Sequence, residues 1–431
     1  MAGNGGDGAE SLPEDVLFEV FSRVRNLKDL FSCAATCRRW LRLFTNPDFL
    51  RQLWPEHDRA PPLVGFFSNA HVKTTRRRRD GSSSSVLDFT PIRESPIGID
   101  DCTLASFVPA DHNFISFTQH LASRRGLLLT RFREEIDLHE RRTRYRFVLC
   151  DPITGAHDVL PELGCTCVDL FHNGYAILAA GDFDPSHDHE PRGLVSTRRR
   201  RRLSMFSQLL LVGLGNHQSG RRVHVHTYSA ATRSWSAPVI CMLANLAYLR
   251  QADCPAVVHR SSARWLYADD DPLNQSSPRY LHVLCVEINS GRASFTKLPV
   301  RFDGQPLLCV SRDNRLLIAC VHATRVNVWT QQQEGNPAAW IQTSQVLLKV
   351  PSSMPLEPQS TGCQVRSWFY MDKGILLAKY RDYNAIFVVD LDTWAMDKVM
   401  DFPHSPPRNY LPYTMDLPEL FLSQLAFSRG Y

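Results

Sequence analysis

Long apolar runs are missing from this 431-residue chain. None approaches the ~20 residues that cross a bilayer as a helix, so a membrane-spanning protein is not expected. The first ten residues are acidic and rich in Gly, with neither a basic stretch nor an apolar one, and no secretory signal is expected there. Several chemistries lack their motifs. There is no Gly-x-Ser-x-Gly elbow, no phosphate-cradling glycine loop and no His-Glu-x-x-His. Nucleophilic and zinc-assisted hydrolysis are therefore not expected, and the chain reads as a non-enzyme with no cofactor. The 12 Cys residues are scattered, and Cys165-x-Cys167 has no second pair at a metal-binding distance. They read as reduced thiols, which suits the nucleus or cytoplasm.

What is present is ordinary for a folded protein: 43% apolar and 22% charged residues, in a chain long enough for two or three domains. The net charge of +5 is misleading. Arg76–Arg79 and Arg198–Arg202 together supply nine positive charges, and the rest of the chain carries −4. Neither run is interleaved with aromatics that would stack on bases, so a nucleic-acid partner is not expected. Solvated loops and nuclear-import signals both fit. His187-Asp188-His189-Glu190 is polar enough for zinc. It sits in a Pro-flanked stretch without the fixed geometry that a metal site needs, and no metal is expected. His224-Val225-His226 alternates as on a strand, placing both imidazoles on one side as structural groups.

Four zones follow along the chain: a flexible leader at 1–10, a helical zone at 11–54, a mixed zone at 55–104 and a strand-rich zone at 105–431. In the helical zone, Ser11 and Glu14 have the S-x-x-E spacing of a capping box, with Pro13 inside the first turn. Leu17, Val20, Phe21 and Val24 recur as one apolar helix face. A second helix starts at Asn26 or Asp29 and carries Leu27, Leu30, Phe31 and Ala34. A third holds Cys37, Trp40, Leu41 and Phe44. Asn46-Pro47 breaks it, and Phe49, Leu50 and Leu53 form a last apolar turn. Three short helices bury little area alone, and such a unit is usually completed by a partner or a neighbouring domain.

Leu12-Pro13-Glu14-Asp15, then Leu17, Val20, Phe21 and Leu30, then Cys37-Arg38-Arg39-Trp40 and Asn46-Pro47-Asp48-Phe49, resemble the F-box motif in order and spacing. Thr36 stands where the family usually has valine, and Arg25 where many members have proline; both would loosen packing slightly. The resemblance implies docking of the Skp-type linker of cullin ubiquitin ligases. Leu12, Pro13, Leu17, Val20, Phe21, Leu30, Cys37 and Trp40 are then the contact or contact-supporting positions. An ordinary three-helix core with no partner is the alternative.

After residue 105 one pattern recurs at intervals of about 40–80 residues. An apolar run pairs with a second strand that ends in Asp or an analogue, with Thr or Ser three positions on. Gly126–Leu129 pairs with Val148–Asp151, Trp265–Tyr267 with Cys285–Glu287, Leu316–Ala319 with Val326–Thr330, and Gly374–Leu377 with Phe387–Asp390. A further copy ends at Ser229 and is followed by Thr232 and Trp235. The long first interval contains Asp182–Ser204, which reads as a disordered insertion. One such sheet cannot bury both its faces, so the copies are expected to stack as β-propeller blades, with a β-sandwich as the alternative. The Trp or Phe after each turn would pack between blades. Pro62–Phe67 and the Cys150-Asp151-Pro152-x-Thr154-Gly155 turn are similar to the kelch-like F-box-associated region of a large group of grass F-box proteins.

The expected fold is thus α+β and multidomain: a small three-helix F-box at 11–54, then a linker with the first strands and a disordered Arg/Ser loop at 55–104, then an all-β propeller at 105–431. The expected function is that of a substrate receptor in an SCF-type ubiquitin ligase, with the linker, the cullin behind it and an unknown target as partners. A scaffold outside any ligase and a propeller enzyme are the alternatives. Target specificity is expected at one rim of the ring, near Arg131–Arg144, Asp269–Arg279 and Gln331–Ala339.

Overall fold

A computed structural model describes residues 12–24, 27–54, 63–68, 89–92, 117–137, 142–153, 156–163, 174–179, 182–183, 206–217, 220–243, 249–251, 255–269, 280–301, 305–311, 313–322, 325–332, 340–347, 365–372, 375–380, 385–390, 393, 395–401 and 410–425. Short N-terminal helices lead into a mainly-β propeller of six sheets.

The helical zone contains four helices rather than three: α1 (Glu14–Ser22), α2 (Leu27–Thr36), α3 (Arg38–Leu43) and α4 (Pro47–Leu53). Asn46-Pro47 ends one helix and starts the next. The Asn46 side-chain oxygen accepts the Asp48 amide at 2.9 Å, and Pro47 takes the first helical position, where it removes no needed donor. The start of α1 also differs from expectation. Pro13 itself is the N-cap and makes no side-chain cap, so Glu14 opens the helix instead of closing a capping box. Ser11 lies outside the described residues. Thr36 does not loosen packing: it is exposed, and its hydroxyl donates to the Ser32 carbonyl at 3.2 Å within its own helix.

Leu17, Phe21, Leu30, Ala34, Phe44, Phe49 and Leu50 are buried together. Phe21 is their hub, with ring centroids 4.8 Å from Phe44 and 5.1 Å from Trp40. This core is completed from the far end of the chain. Helix α5 (Leu417–Leu425), in a segment whose pattern is ambiguous in sequence, buries Leu417, Leu420, Phe421 and Leu425 in the same cluster. Phe421 stacks on Phe31 at 4.0 Å and approaches Phe44 at 5.4 Å and Trp54 at 5.1 Å.

The ring begins in the zone read as a linker. Strand β1 (Leu63–Ser68) pairs antiparallel with β2 (Phe89–Pro91) and with β25 (Tyr410–Thr414), Leu63 opposite Thr414 and Ser68 opposite Tyr410. Both ends of the β region thus share the closing blade. Gly65 is required there, because a Cβ would lie 2.4 Å from the Phe89 ring and 2.5 Å from the Thr90 carbonyl oxygen. Blade 1 is β3 (Phe117–Arg124), β4 (Leu127–Asp137), β5 (Arg142–Cys150) and β6 (His157–Val159). Blade 2 is β7 (Gly174–Ala179), β8 (Phe206–His217), β9 (Gly220–Ser229) and β10 (Ser234–Trp235), with β11 (Val239–Leu243) also on β9. Blade 3 comprises β12 (Leu249–Gln251), β13 (Val257–His259), β14 (Ser262–Asp269), β15 (Tyr280–Glu287) and β16 (Ala293–Arg301). Blade 4 is β17 (Gln305–Val310), β18 (Leu316–His322), β19 (Arg325–Gln331) and β20 (Trp340–Leu347). Blade 5 is β21 (Val365–Asp372), β22 (Ile375–Tyr380), β23 (Ala385–Asp390) and β24 (Met396–Asp401).

The recurring acidic turns do what their residue types allow. Asp390 accepts the Thr393 amide at 3.0 Å, and the Thr393 hydroxyl accepts the Ala395 amide. Asp151 accepts the Ile153 amide at 3.0 Å. Glu287 takes the Ser290 hydroxyl at 2.7 Å, with Gly291 next at φ +67°. Thr330 is different: it lies within β19, opposite Ile341. Trp235 packs between blades as expected, 6.3 Å from Phe147 and donating to the Pro161 carbonyl at 2.9 Å. Phe295 packs largely within its own blade, on Tyr267 and His282.

One face of the ring is laced together by turns. The Gly126 amide donates to the Thr414 carbonyl at 3.0 Å. Beside it, Arg124 reaches blade 2, where it donates to the Ile177 carbonyl and both Asp182 oxygens. Asn289 of blade 3 donates to the Phe183 carbonyl, and His259 bonds the Asn314 carbonyl of blade 4 at 2.9 Å. The helices sit on this same face, since Leu128, Cys150 and Ile153 of blade 1 join their core. Asp182 and Phe183 therefore belong to the packed body and not to a disordered insertion; residues 184–204 lie outside the described set. Among the described residues, no helix is long and apolar enough to cross a membrane.

Two predictions follow from this packing. Burial raises the Asp182 carboxyl pKa, but the Arg124 hydrogen bonds and charge, Arg125 and the Ala179 amide outweigh it, and the net shift is downward. The folded state therefore binds the proton less readily than the unfolded one. The resulting stability is full above the ordinary carboxylate pKa and is lost as pH falls through the folded pKa. Asp182→Asn should cost about 3 kcal/mol at pH 7. The gap between the wild-type and variant urea midpoints should close as pH falls through the folded pKa, and a gap independent of pH would refute the assignment. Phe421→Ala should cost about 3–5 kcal/mol and should expose α1–α4 to proteolysis while the sheets stay protected. Unchanged protease resistance of the helices would show that α5 does not complete their core.

Candidate functional site

Helix α1 presents two apolar faces, one inward and one outward, from one short sequence. Leu17 and Phe21 point into the core at 1% exposure each. Leu12, Val16 and Val20, spaced four apart, remain 38%, 40% and 48% exposed. Side chains at i and i+4 lie above one another on a helix, so Val16 and Val20 form an apolar stripe, and Leu12 is exposed just before it, next to the N-cap Pro13. Glu14 and Asp15 add negative charge at the helix N-terminus, where the backbone dipole favours it. The Arg39 guanidinium donates to the Leu12 carbonyl, tying the stripe's leading end to α3.

The eight residues singled out in the sequence differ in exposure. Leu12, Pro13 and Val20 are on the surface. Leu17, Phe21 and Leu30 are buried behind them. Trp40 is partly buried and stands edge-on to Phe21, and its indole nitrogen is buried with no acceptor among the described residues. Cys37 is the N-cap of α3, its sulfur accepting the Trp40 amide at 3.4 Å. The face drawn through Leu17, Val20, Phe21 and Val24 is therefore split, with Val20 pointing out. Val16 was missed, although its four-residue spacing from Leu12 and Val20 marks it.

On the ring, the three rim segments do not share a rim. Residues 131–137 and 142–144 are strand, the ends of a long β4–β5 hairpin. The described strand ends at 137 and 142, and at Asp269 and Tyr280, lie away from the helices, while residues 138–141, 270–279 and 333–339 lie outside the described residues. Strand β19 instead ends at Gln331 on the helix side, because it runs antiparallel to β18, which starts beside Asn314. The perturbed histidines lie in blade packing. Burial pulls His120 down to about 3, with Nδ1 3.2 Å from the Thr130 hydroxyl. His224 and His226 stack on one side of β9, as their alternation predicts, and burial lowers both. Among the described residues no group of three or more His, Cys, Asp or Glu is placed to hold a metal ion. His187–Glu190, Cys165, Cys167 and both arginine runs lie outside the described residues.

Residues 9–54 match the F-box-like family model. No curated protein matches the chain in sequence. Among solved structures, the chain is similar to one in the nidogen/laminin complex at 9% identity and a TM-score of 0.37, covering 82% of this chain and 97% of that one. It is also similar to the β-propeller domain of the Trilobed protease from Pyrococcus furiosus, at 9% identity and a TM-score of 0.30, covering 66% and 83%. Likenesses this distant carry no argument, and the six-sheet ring rests on its own strand pairings. The protein has an F-box-like domain at its N-terminus, followed by a six-bladed β-propeller.

Proposed function

We propose that this chain is the substrate-receptor subunit of an SCF-type ubiquitin ligase. The observation that carries this is the exposed Leu12–Val16–Val20 stripe on an F-box-like domain whose other flank is already covered by α5. Three apolar side chains left in solvent on and just before a packed helix fit a partner surface better than a monomer's own needs. The stripe docks a Skp-type linker and through it a cullin, with Leu17, Phe21, Leu30, Cys37 and Trp40 holding α1 in place behind it. The ring then holds a target protein near the charged conjugating enzyme. The chemical gain is proximity, since tethering raises the effective concentration of target lysines at the thioester.

In this reading the chain itself is not a catalyst, uses no cofactor, and works in the nucleus or cytoplasm. The ring belongs with the kelch-like F-box-associated regions of plant proteins, a placement supported by the acidic turns at Asp151 and Asp390. The α5 contact supports a receptor over a flexible scaffold, because it fixes the ring's orientation relative to the linker.

The triple variant Leu12→Ala, Val16→Ala, Val20→Ala removes the stripe without touching the buried face. It should keep the wild-type melting temperature and weaken capture of a Skp-type linker by about 30-fold or more. Equal capture by the variant would overturn the assignment. Linker capture without a co-purifying cullin would favour the scaffold alternative.

A further inference from the structure

Each blade ends in an outer strand that, among the described residues, leaves one row of backbone N–H and C=O groups without a ladder partner. Such edges invite another chain unless they are short, charged or interrupted by proline. In the closing blade and in blade 1 the outer strand has three residues, with Pro91 in β2 and Asp158 in β6. Strand β24 contains Asp397, Lys398 and Asp401, and β16 contains Lys297, Pro299 and Arg301. In blade 2 the edge is divided between β10, of two residues, and β11, of five, and the Cys241 thiol of β11 donates to the Ala293 carbonyl of blade 3. Blade 4 differs. Its outer strand β20 has eight residues, none of them charged and none a proline. Ile341 and Leu347 are 43% and 66% exposed near its two ends, and Gln342, Thr343 and Gln345 are exposed between them.

Strand β20 reads alike from either end. Trp340-Ile341-Gln342-Thr343 is followed by Ser344-Gln345-Val346-Leu347: two apolar residues, an amide and a hydroxyl, then a hydroxyl, an amide and two apolar residues. Laid antiparallel on a second copy of itself, it sets Trp340 opposite Leu347, Ile341 opposite Val346, Gln342 opposite Gln345 and Thr343 opposite Ser344. A regular strand could not use this register. The paired positions would lie on opposite faces, whereas residues directly across a ladder share a face. A bulge removes the conflict. Gln342 and Ser344 stand across from Trp329 and Val328, so Thr343 is one residue too many. Positions 340, 342, 345 and 347 then face Gln331, Trp329, Asn327 and Arg325 of β19, all on one side of the sheet. Positions 341, 344 and 346 face Thr330, Val328 and Val326, on the other side. The Thr343 hydroxyl joins that second side, 3.0 Å from the Thr330 hydroxyl. Each of the four pairs therefore falls on a single face.

From this self-matching edge we infer that β20 pairs antiparallel with β20 of a second copy of this chain, about a two-fold axis, so that the blade 4 sheet continues from one ring into the other. A strand without charge offers nothing to select a charged partner, and two copies of it meet without like-charge repulsion. Every class of side chain along it meets its own kind in the copy. Antiparallel pairing turns one ring over relative to the other. The two F-box-like domains then lie at opposite ends of the dimer, and both α1 stripes stay open. The inference does not depend on the linker assignment.

The test is sedimentation equilibrium of the full chain from about 1 to 100 μM. The average mass should rise from one chain towards two, because one strand pair is a small interface and gives a weak dimer. Gln342→Lys with Gln345→Lys sets like charges opposite each other and should weaken self-association by about tenfold or more. Gln342→Lys with Gln345→Glu introduces as many charges, but the antiparallel register sets each cation opposite an anion. That variant should dimerise at least as well as the wild type. Both glutamines are exposed, and melting temperatures confirm that each variant is folded. The Leu12, Val16, Val20 triple variant should dimerise like the wild type, so this inference and the linker assignment fail separately. A wild-type chain that stays monomeric at about 100 μM, or a folded double-lysine variant that associates as well as the wild type, overturns the proposal. So does a Lys/Glu variant that stays monomeric. Loss of the dimer in the triple variant would place self-association on α1 and overturn it as well.

Discussion

Residues 410–425 hold both halves of this molecule together. Strand β25 lies against β1 and closes the ring, and three residues later α5 enters the helical core. The two contacts depend on each other. Tyr413, fully buried in β25, donates its hydroxyl to the Gly126 carbonyl at 2.8 Å and meets Phe67 edge-on. That anchoring sets where the backbone leaves the sheet and hence where Leu417, Leu420 and Phe421 arrive. Four short helices cannot bury enough apolar surface to be stable alone. Here the missing surface comes from the last helix of the same chain, so the F-box-like core is complete only once the ring is closed.

This coupling determines which apolar surface of the helices remains open. Helix α5 covers the flank that carries Phe31, Phe44 and Trp54, and the stripe on α1 stays open. The intramolecular helix and the exposed stripe therefore occupy different flanks.

Much of this was legible in residue types. The helix register came from apolar spacing at Leu17, Phe21 and Leu30, and the blades from apolar runs paired with acidic turns at Asp151, Glu287 and Asp390. Those turns are local: a side chain bonds an amide two or three residues on, and the sequence records it directly. What sequence concealed depends on contacts across long separations. Nothing at Leu63–Ser68 shows that it pairs with Tyr410–Thr414, and nothing at Phe421 shows that Phe31 waits for it. Asp182 looked like the first residue of a polar excursion because its partner, Arg124, lies 58 positions earlier. Val20 and Val16 illustrate the same limit on a smaller scale. Apolar periodicity identifies a helix, but it cannot separate the residues that fill a core from those left for another protein.

The two faces of the ring differ in how freely a strand can lengthen. On the helix side, short turns are fixed by hydrogen bonds between neighbouring blades, and Gly126, Arg124, Asp182, Asn289, His259 and Asn314 leave the blades little freedom to shift. Lengthening a hairpin there would displace the contacts that hold α5. On the other side no such lacing is seen among the described residues, and β4 and β8 extend without disturbing the core. Each added pair of residues only prolongs a ladder that is already satisfied. Strand extension is thus least disruptive at the end farthest from the F-box-like domain, where β4 and β8 show it.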